Sequence, residues 1–244
     1  MTDKTAGTHH SHALTKQKVI PAHQIKILHA QLRLAGSLGR VASVHIVGGQ
    51  GVAYEALCEL WRGYEIESQS ARARRRKKCW VERGEDVEME DGKEEEEGGN
   101  GSSKTFPPRI CLHSFSGPPD SVGQYLRPSI PIDFYFSFSE AINFSLPSHQ
   151  LRNQAAMGSG KAEMEPSWAR AIAAMKIVPD DRILVESDLH TCGEKMDGLL
   201  EDIVRRVCDV KGWGLVDGVK RLKRNWERFV FGDELWHISL SASF

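Results

Sequence analysis

Two imidazoles and one carboxylate stand at the predicted carboxyl ends of three β-prone runs. His45 lies in Val41-Ala42-Ser43-Val44-His45-Ile46-Val47, His113 closes Arg109-Ile110-Cys111-Leu112-His113, and Asp188 follows Arg182-Ile183-Leu184-Val185-Glu186-Ser187. Short apolar runs bounded by turn residues read as strands buried on both faces, as in parallel sheets. Right-handed crossovers bring the carboxyl ends of parallel strands to one rim, so the three groups can converge. Two neutral imidazoles and a carboxylate suit zinc, or manganese or magnesium where more oxygen ligands join. An ion with an open position acidifies its water and supplies a nucleophile near neutral pH. In that chemistry Asp188 binds the metal or takes the proton. A plainer alternative stays open at each position: a histidine bonded to backbone inside a core, and an aspartate capping the turn after a strand.

The elements that must position these groups alternate along the chain. Pro21 opens a helix with Ile25, Leu28, Leu32 and Ala35 on one face and Gly36 or Gly39 near its end. After the first strand comes the loop Gly48-Gly49-Gln50-Gly51, then a helix marked by Ala53, Leu57, Leu60 and Trp61. Ser114 to Pro119 turns away from His113, and Ile130 to Phe138 reads as a third strand. Residues 139–165 look irregular, and Pro166 starts a helix through Trp168, Ile172 and Met175. Beyond the fourth strand, Leu200, Ile203, Val204 and Val207 mark one amphipathic helix. Val219, Leu222, Trp226, Phe229 and Val230 mark the last. Side chains alternate along a strand, so Glu186, Asp188 and His190 are expected on one side. Helix, strand, loop, helix is the rhythm of an α/β fold.

Composition narrows the partners. The 244 residues carry a net charge of −1, so no overall field recruits nucleic acid or membrane. The five cysteines form no C-x-x-C pair, which favours a reducing compartment over a disulfide framework. No apolar run approaches the roughly 20 residues that span a bilayer, and Met1 to Gln17 lacks the apolar core of a signal peptide. The expected location is therefore cytoplasm, nucleus or both, with no membrane partner. Between residues 62 and 105, a basic knot from Arg72 to Lys78 meets an acidic tract from Glu85 to Glu97. Such a segment has too little apolar surface to offset its ordering entropy and reads as a disordered charged insertion. The domain is then 19–61 with 106–232, flanked by tails at 1–18 and 233–244.

The three motifs together resemble the TatD family of metal-dependent hydrolases. Ser43-Val44-His45 is similar to its "VH", His113-Ser114-Phe115-Ser116-Gly117 to its "H-x-F-x-G", and Leu184-Val185-Glu186-Ser187-Asp188 to its "L-x-E-[ST]-D". Asn225 followed by Phe229 is similar to the family's "N-x-x-x-F" ending. Asp188-Leu189-His190-Thr191 and the Gln31-to-Ala35 helix look most like a fungal subgroup described as interacting with a subunit of the anaphase-promoting complex. The resemblance implies a (β/α)8 barrel with a two-metal site that hydrolyses phosphodiester bonds, typically in DNA. It implies His45, His113 and Asp188 as metal ligands, Asp188 being the acid that ends the last strand and Glu186 the inward residue below it. Glu186 and His190 are candidate substrate contacts, His190 without a general family role and otherwise a surface residue. It also implies a protein partner in the cell-cycle machinery. The family's opening H-x-H strand and its G-E-I-G-L-D stretch have no recognisable strand here. His10-Ser11-His12 has the spacing without the preceding apolar run, and Gly48-Gly49-Gln50-Gly51 replaces the subgroup's "Q-A-H-G". The expectation is the carboxyl-terminal half of a barrel, with an incomplete ligand set that weakens metal binding. Association into a homo-oligomer would cover the apolar surface left open.

Overall fold

The computed structural model describes residues 19–66, 105–144 and 166–233. The tails at 1–18 and 234–244, most of the charged insertion and most of 139–165 lie outside them. The elements run α1 (Pro21–Ser37), β1 (Ala42–His45), α2 (Gln50–Trp61), β2 (Arg109–His113), α3 (Pro119–Tyr125) and β3 (Asp133–Ser139). They continue with α4 (Glu140–Asn143), α5 (Pro166–Ile177), β4 (Ile183–Glu186), α6 (Glu194–Lys211) and α7 (Leu215–Phe231).

The four strands form one parallel sheet in the order β1-β2-β3-β4. Right-handed crossovers that always step the same way place the connecting helices on one face. That is the winding of a (β/α)8 barrel, whereas a doubly wound sheet reverses direction at a switch point. Among the described residues β1 and β4 each have one strand neighbour, so the sheet holds half the strands of a closed barrel.

Alternation along the strands separates two faces of different chemistry. Val44, Ile110, Leu112, Phe134, Phe136, Phe138 and Ile183 meet the helix layer, where Leu32, Leu57, Trp61, Val122, Met175, Ile203 and Leu222 complete the main core. The opposite face is apolar only in its amino-terminal half. There Cys111, Tyr135 and Leu184 pack with Phe229, which α7 tucks against them, with the Tyr135 and Phe229 rings 5.2 Å apart. Further along the same face come Ser137, Ser139, His113, Glu186 and the exposed His45. A face that turns from apolar to polar toward the strands' carboxyl ends is where α/β proteins place ligands.

Several boundaries differ from the sequence expectation for local reasons. The third strand starts at Asp133, because Pro131 has no N–H to donate to a ladder. Pro118-Pro119 reads as a turn, yet Pro119 begins α3, where a missing N–H costs nothing. Residues 64–66 remain against the domain: Ile66 N donates to Ser129 O at 2.9 Å, and the Tyr64 ring lies 5.6 Å from that of Phe106. Where α6 and α7 cross, a Cβ on Gly218 would fall 2.2 Å from Cys208 Sγ, so that crossing requires glycine. No described helix is long and apolar enough to cross a membrane.

Candidate functional site

His113 ends β2 with both ring nitrogens engaged. Its Nδ1 is 2.6 Å from Glu186 Oε2, and its Nε2 is 2.8 Å from Asp188 Oδ1. Carboxylates only accept, so each ring nitrogen meets an acid that can take a proton from it, and the shorter contact is at Nδ1. Hydrogen bonding to Glu186 raises the His113 pKa, with Asp188 adding to it and partial burial opposing. Burial by itself would raise the Glu186 pKa, but His113, Ser137 and the Ser114 N–H outweigh it and hold that carboxyl below the usual range.

Glu186 is held from below by the polar half of the sheet face. Ser137 Oγ donates to its Oε1, as do the Ser114 N–H at 2.8 Å and Ser114 Oγ at 3.2 Å. Two left-handed residues shape this corner, Ser114 with φ 43° and Asp188 with φ 55°. At Ser114 that conformation aims the amide and the hydroxyl at the same oxygen. Outside glycine such geometry is uncommon and concentrates at functional sites.

The loop after His113 is fixed by its own motif. Phe115 is buried, its ring edge-on to Phe136 at 5.2 Å. A Cβ on Gly117 would lie 2.8 Å from the tip of that ring, so the chain can pass only as glycine. Asn143 in α4 clamps the loop, its Nδ2 donating to Phe115 O at 2.9 Å while its Oδ1 accepts from Ser139 N at 2.8 Å.

The expected site residues are placed unequally. His45 sits opposite His113 in the β1–β2 register, with ring centroids 5.2 Å apart, and is exposed. Glu186 and Asp188 both reach His113, Glu186 from the same face of the sheet, Asp188 from beyond the end of the strand. β4 ends at Glu186, and the left-handed turn at Asp188 swings that carboxyl back over the sheet end. Alternation therefore does not extend to His190, which lies exposed in the loop before α6. Ser114 and Ser137 escaped the sequence reading. The available signal was serine at two alternate positions, 137 and 139, of an otherwise aromatic strand.

The donor set fits a divalent ion. One atom each from His113, Glu186 and Asp188 lie within 4.8 Å of one another. The 2.8 Å between Nε2 and Oδ1 is close to the roughly 3 Å that separates two ligands each about 2.1 Å from one metal. Cys111 shares the face but lies outside that cluster, its thiol against Ser137 Oγ at 3.4 Å and pushed up to about 12 by burial.

The pair also makes stability depend on pH in the metal-free protein. Glu186, lowered from 4.5, stabilises fully above that value and loses its contribution as pH falls through the lowered folded pKa. His113, raised from 6.5, stabilises fully below that value and loses its contribution as pH rises through the raised folded pKa. The contribution is therefore whole between the two values and shrinks on either side. Urea midpoints measured across that range in chelator should show this maximum, and His113→Gln should flatten it; parallel curves for the two proteins would contradict the assignment.

A half-sheet wound like a barrel, with acid and imidazole at its carboxyl rim, defines an α/β protein of the metal-dependent hydrolase type. The TatD related DNase family model matches residues 6–230, and the chain belongs to that family. The match starts before residue 20, where the motif resemblance begins. The chain is 30% identical over 208 residues to the Cut9-interacting protein scn1 of Schizosaccharomyces pombe, covering 85% of this chain and 51% of the relative. It thus spans about half the length of that curated relative. A crystal structure of a hydrolase TatD family protein from Entamoeba histolytica aligns with 51% of this chain and 42% of its own. At a TM-score of 0.34 and 13% identity, that likeness carries no argument.

Proposed function

We propose that this chain supplies a divalent-metal site for hydrolysing phosphodiester bonds, with DNA as the substrate. The observation carrying the reading is His113 seated against Asp188 with His45 beside it, at the carboxyl ends of parallel strands. His45, His113 and Asp188 would hold zinc, manganese or magnesium. Such an ion supplies positive charge that polarises a phosphoryl oxygen and acidifies the attacking water. Asp188 would also take the proton of that water, and His190, in the exposed loop beyond the turn, would contact a substrate phosphate.

The test is cleavage of single- and double-stranded DNA by the purified chain with zinc, manganese, magnesium or chelator. Metal should stimulate turnover and stabilise the fold by about 2.7 kcal/mol at a hundredfold excess over its Kd. A folded chain that shows no turnover and no thermal shift with any of the three ions sinks the reading.

A second reading is a non-catalytic scaffold for a cell-cycle protein. The observation favouring it is the similarity to a relative whose name is Cut9-interacting protein. A folded chain that cleaves nothing under all three metals, yet binds a Cut9-type partner directly, assigns this reading over the first.

A further inference from the structure

We infer that Glu186 is a positioning residue: it holds the proton of His113 on Nδ1 and so leaves Nε2 as the atom offered toward Asp188 and a metal. The inference rests on His113 being a ligand. A metal-bound imidazole commonly donates its other N–H to a carboxylate, which fixes both tautomer and ring plane. Nδ1 and Glu186 Oε2 are 2.6 Å apart here, on the far side of the ring from Asp188.

Two other roles for Glu186 are disfavoured by its surroundings. Distance alone would admit it as a direct ligand. Its carboxylate, however, already accepts from Ser114 N, Ser114 Oγ and Ser137 Oγ on Oε1 and from His113 on Oε2. Three donors crowd Oε1 and His113 faces Oε2, so a metal ion bound here would compete with these bonds. As a contact for a substrate phosphate it carries the wrong sign of charge. Its serine donors instead lock it in place beneath the imidazole.

Substituting Gln tests this, because the two side chains have nearly one shape. Ser114 N–H still requires an acceptor, so the Gln oxygen turns toward it and the amide NH2 faces Nδ1. Nδ1 must then accept, the proton moves to Nε2, and the atom meant for metal is blocked. Nitrogen NMR of the His113 ring reports the tautomer without metal, and calorimetry with zinc(II) reports affinity.

In wild type the Nδ1 proton should be present with and without zinc. Glu186→Gln should lose it and bind zinc about 10–100-fold more weakly. Should Glu186→Gln fail to fold, Glu186→Asp replaces it, with a weakened Nδ1–H signal and intermediate zinc affinity expected. An unaltered Nδ1 proton and wild-type zinc affinity in the folded variant overturn the proposal. The two arms separate the ideas: a wild type that binds no zinc defeats the metal site, while loss of the Nδ1 proton in Glu186→Gln still upholds the positioning role.

Discussion

Asp188→Asn should reduce metal-stimulated DNA hydrolysis by about 10²–10⁴-fold, the span ordinarily lost with a positioned proton acceptor. Asparagine is the informative choice because of the backbone. Asp188 has φ 55°, a left-handed conformation that asparagine and aspartate tolerate and that β-branched or bulky residues resist. The turn that swings residue 188 back toward His113 therefore survives. The Asn amide oxygen can still accept from Nε2, now 2.8 Å from Asp188 Oδ1, so the ring stays in place. What disappears is the negative charge and the ability to take a proton. Zinc affinity should fall together with turnover, since a neutral amide is a weaker ligand than a carboxylate for a hard or borderline cation. The measurements are kcat/KM on a defined oligonucleotide, zinc calorimetry and a thermal melt on the same preparation. A variant with an unchanged melt and wild-type turnover would remove Asp188 from the chemistry.

The fold was legible in the sequence where burial is one-sided and periodic. In α1 the expected stripe Ile25, Leu28, Leu32 and Ala35 is the face turned inward, with Leu32 fully buried. The apolar runs at 110–112 and 183–185 are strands because they meet the core on the helix side and Cys111 and Leu184 fill the other. Legibility failed where a local rule competed with a tertiary one. Strand alternation put Glu186, Asp188 and His190 on one side, but the strand ends at Glu186 and the chain turns left-handed at Asp188. The approach of Asp188 to His113 follows from that turn. The seat of Glu186 was hidden for another reason. Ser114 lies in the turn after β2 and Ser137 in β3, and a buried serine announces no partner until the pairing register places both beside residue 186. His45 was assigned by its place at a strand end alone, and its exposure reflects that β1 has one strand neighbour among the described residues.

Asn225→Asp should be the most destabilising of the conservative substitutions near the site, although it touches none of the reacting groups. Asn225 is 4% exposed, and its Nδ2 donates to Asp180 O at 2.7 Å and to Ile183 O at 2.9 Å. Those carbonyls belong to the turn entering β4 and to its first residue. The amide thus anchors α7 to the strand whose far end carries Glu186. The motif position that resembles the family's ending is in this way structural: Asn225 fastens the helix, and Phe229 one turn later closes the sheet face against Tyr135. Aspartate keeps the shape but replaces two donors with a charge facing two carbonyl oxygens. An uncompensated buried charge costs about 3–5 kcal/mol, or about 10 °C in Tm for a domain of this size. The pH dependence gives the cause away. Burial among carbonyls raises the new carboxyl's folded pKa above its unfolded value of about 3.9. The penalty is then full above the folded pKa and recedes as pH falls through it, because the protonated acid can donate one of the two lost bonds. Urea midpoints at neutral and mildly acidic pH should converge on wild type in the acidic arm. A neutral-pH midpoint equal to wild type would mean that α7 is held to β4 by packing alone. The zinc affinity of the same variant then tells whether the entrance of the strand and its carboxyl end move as one body.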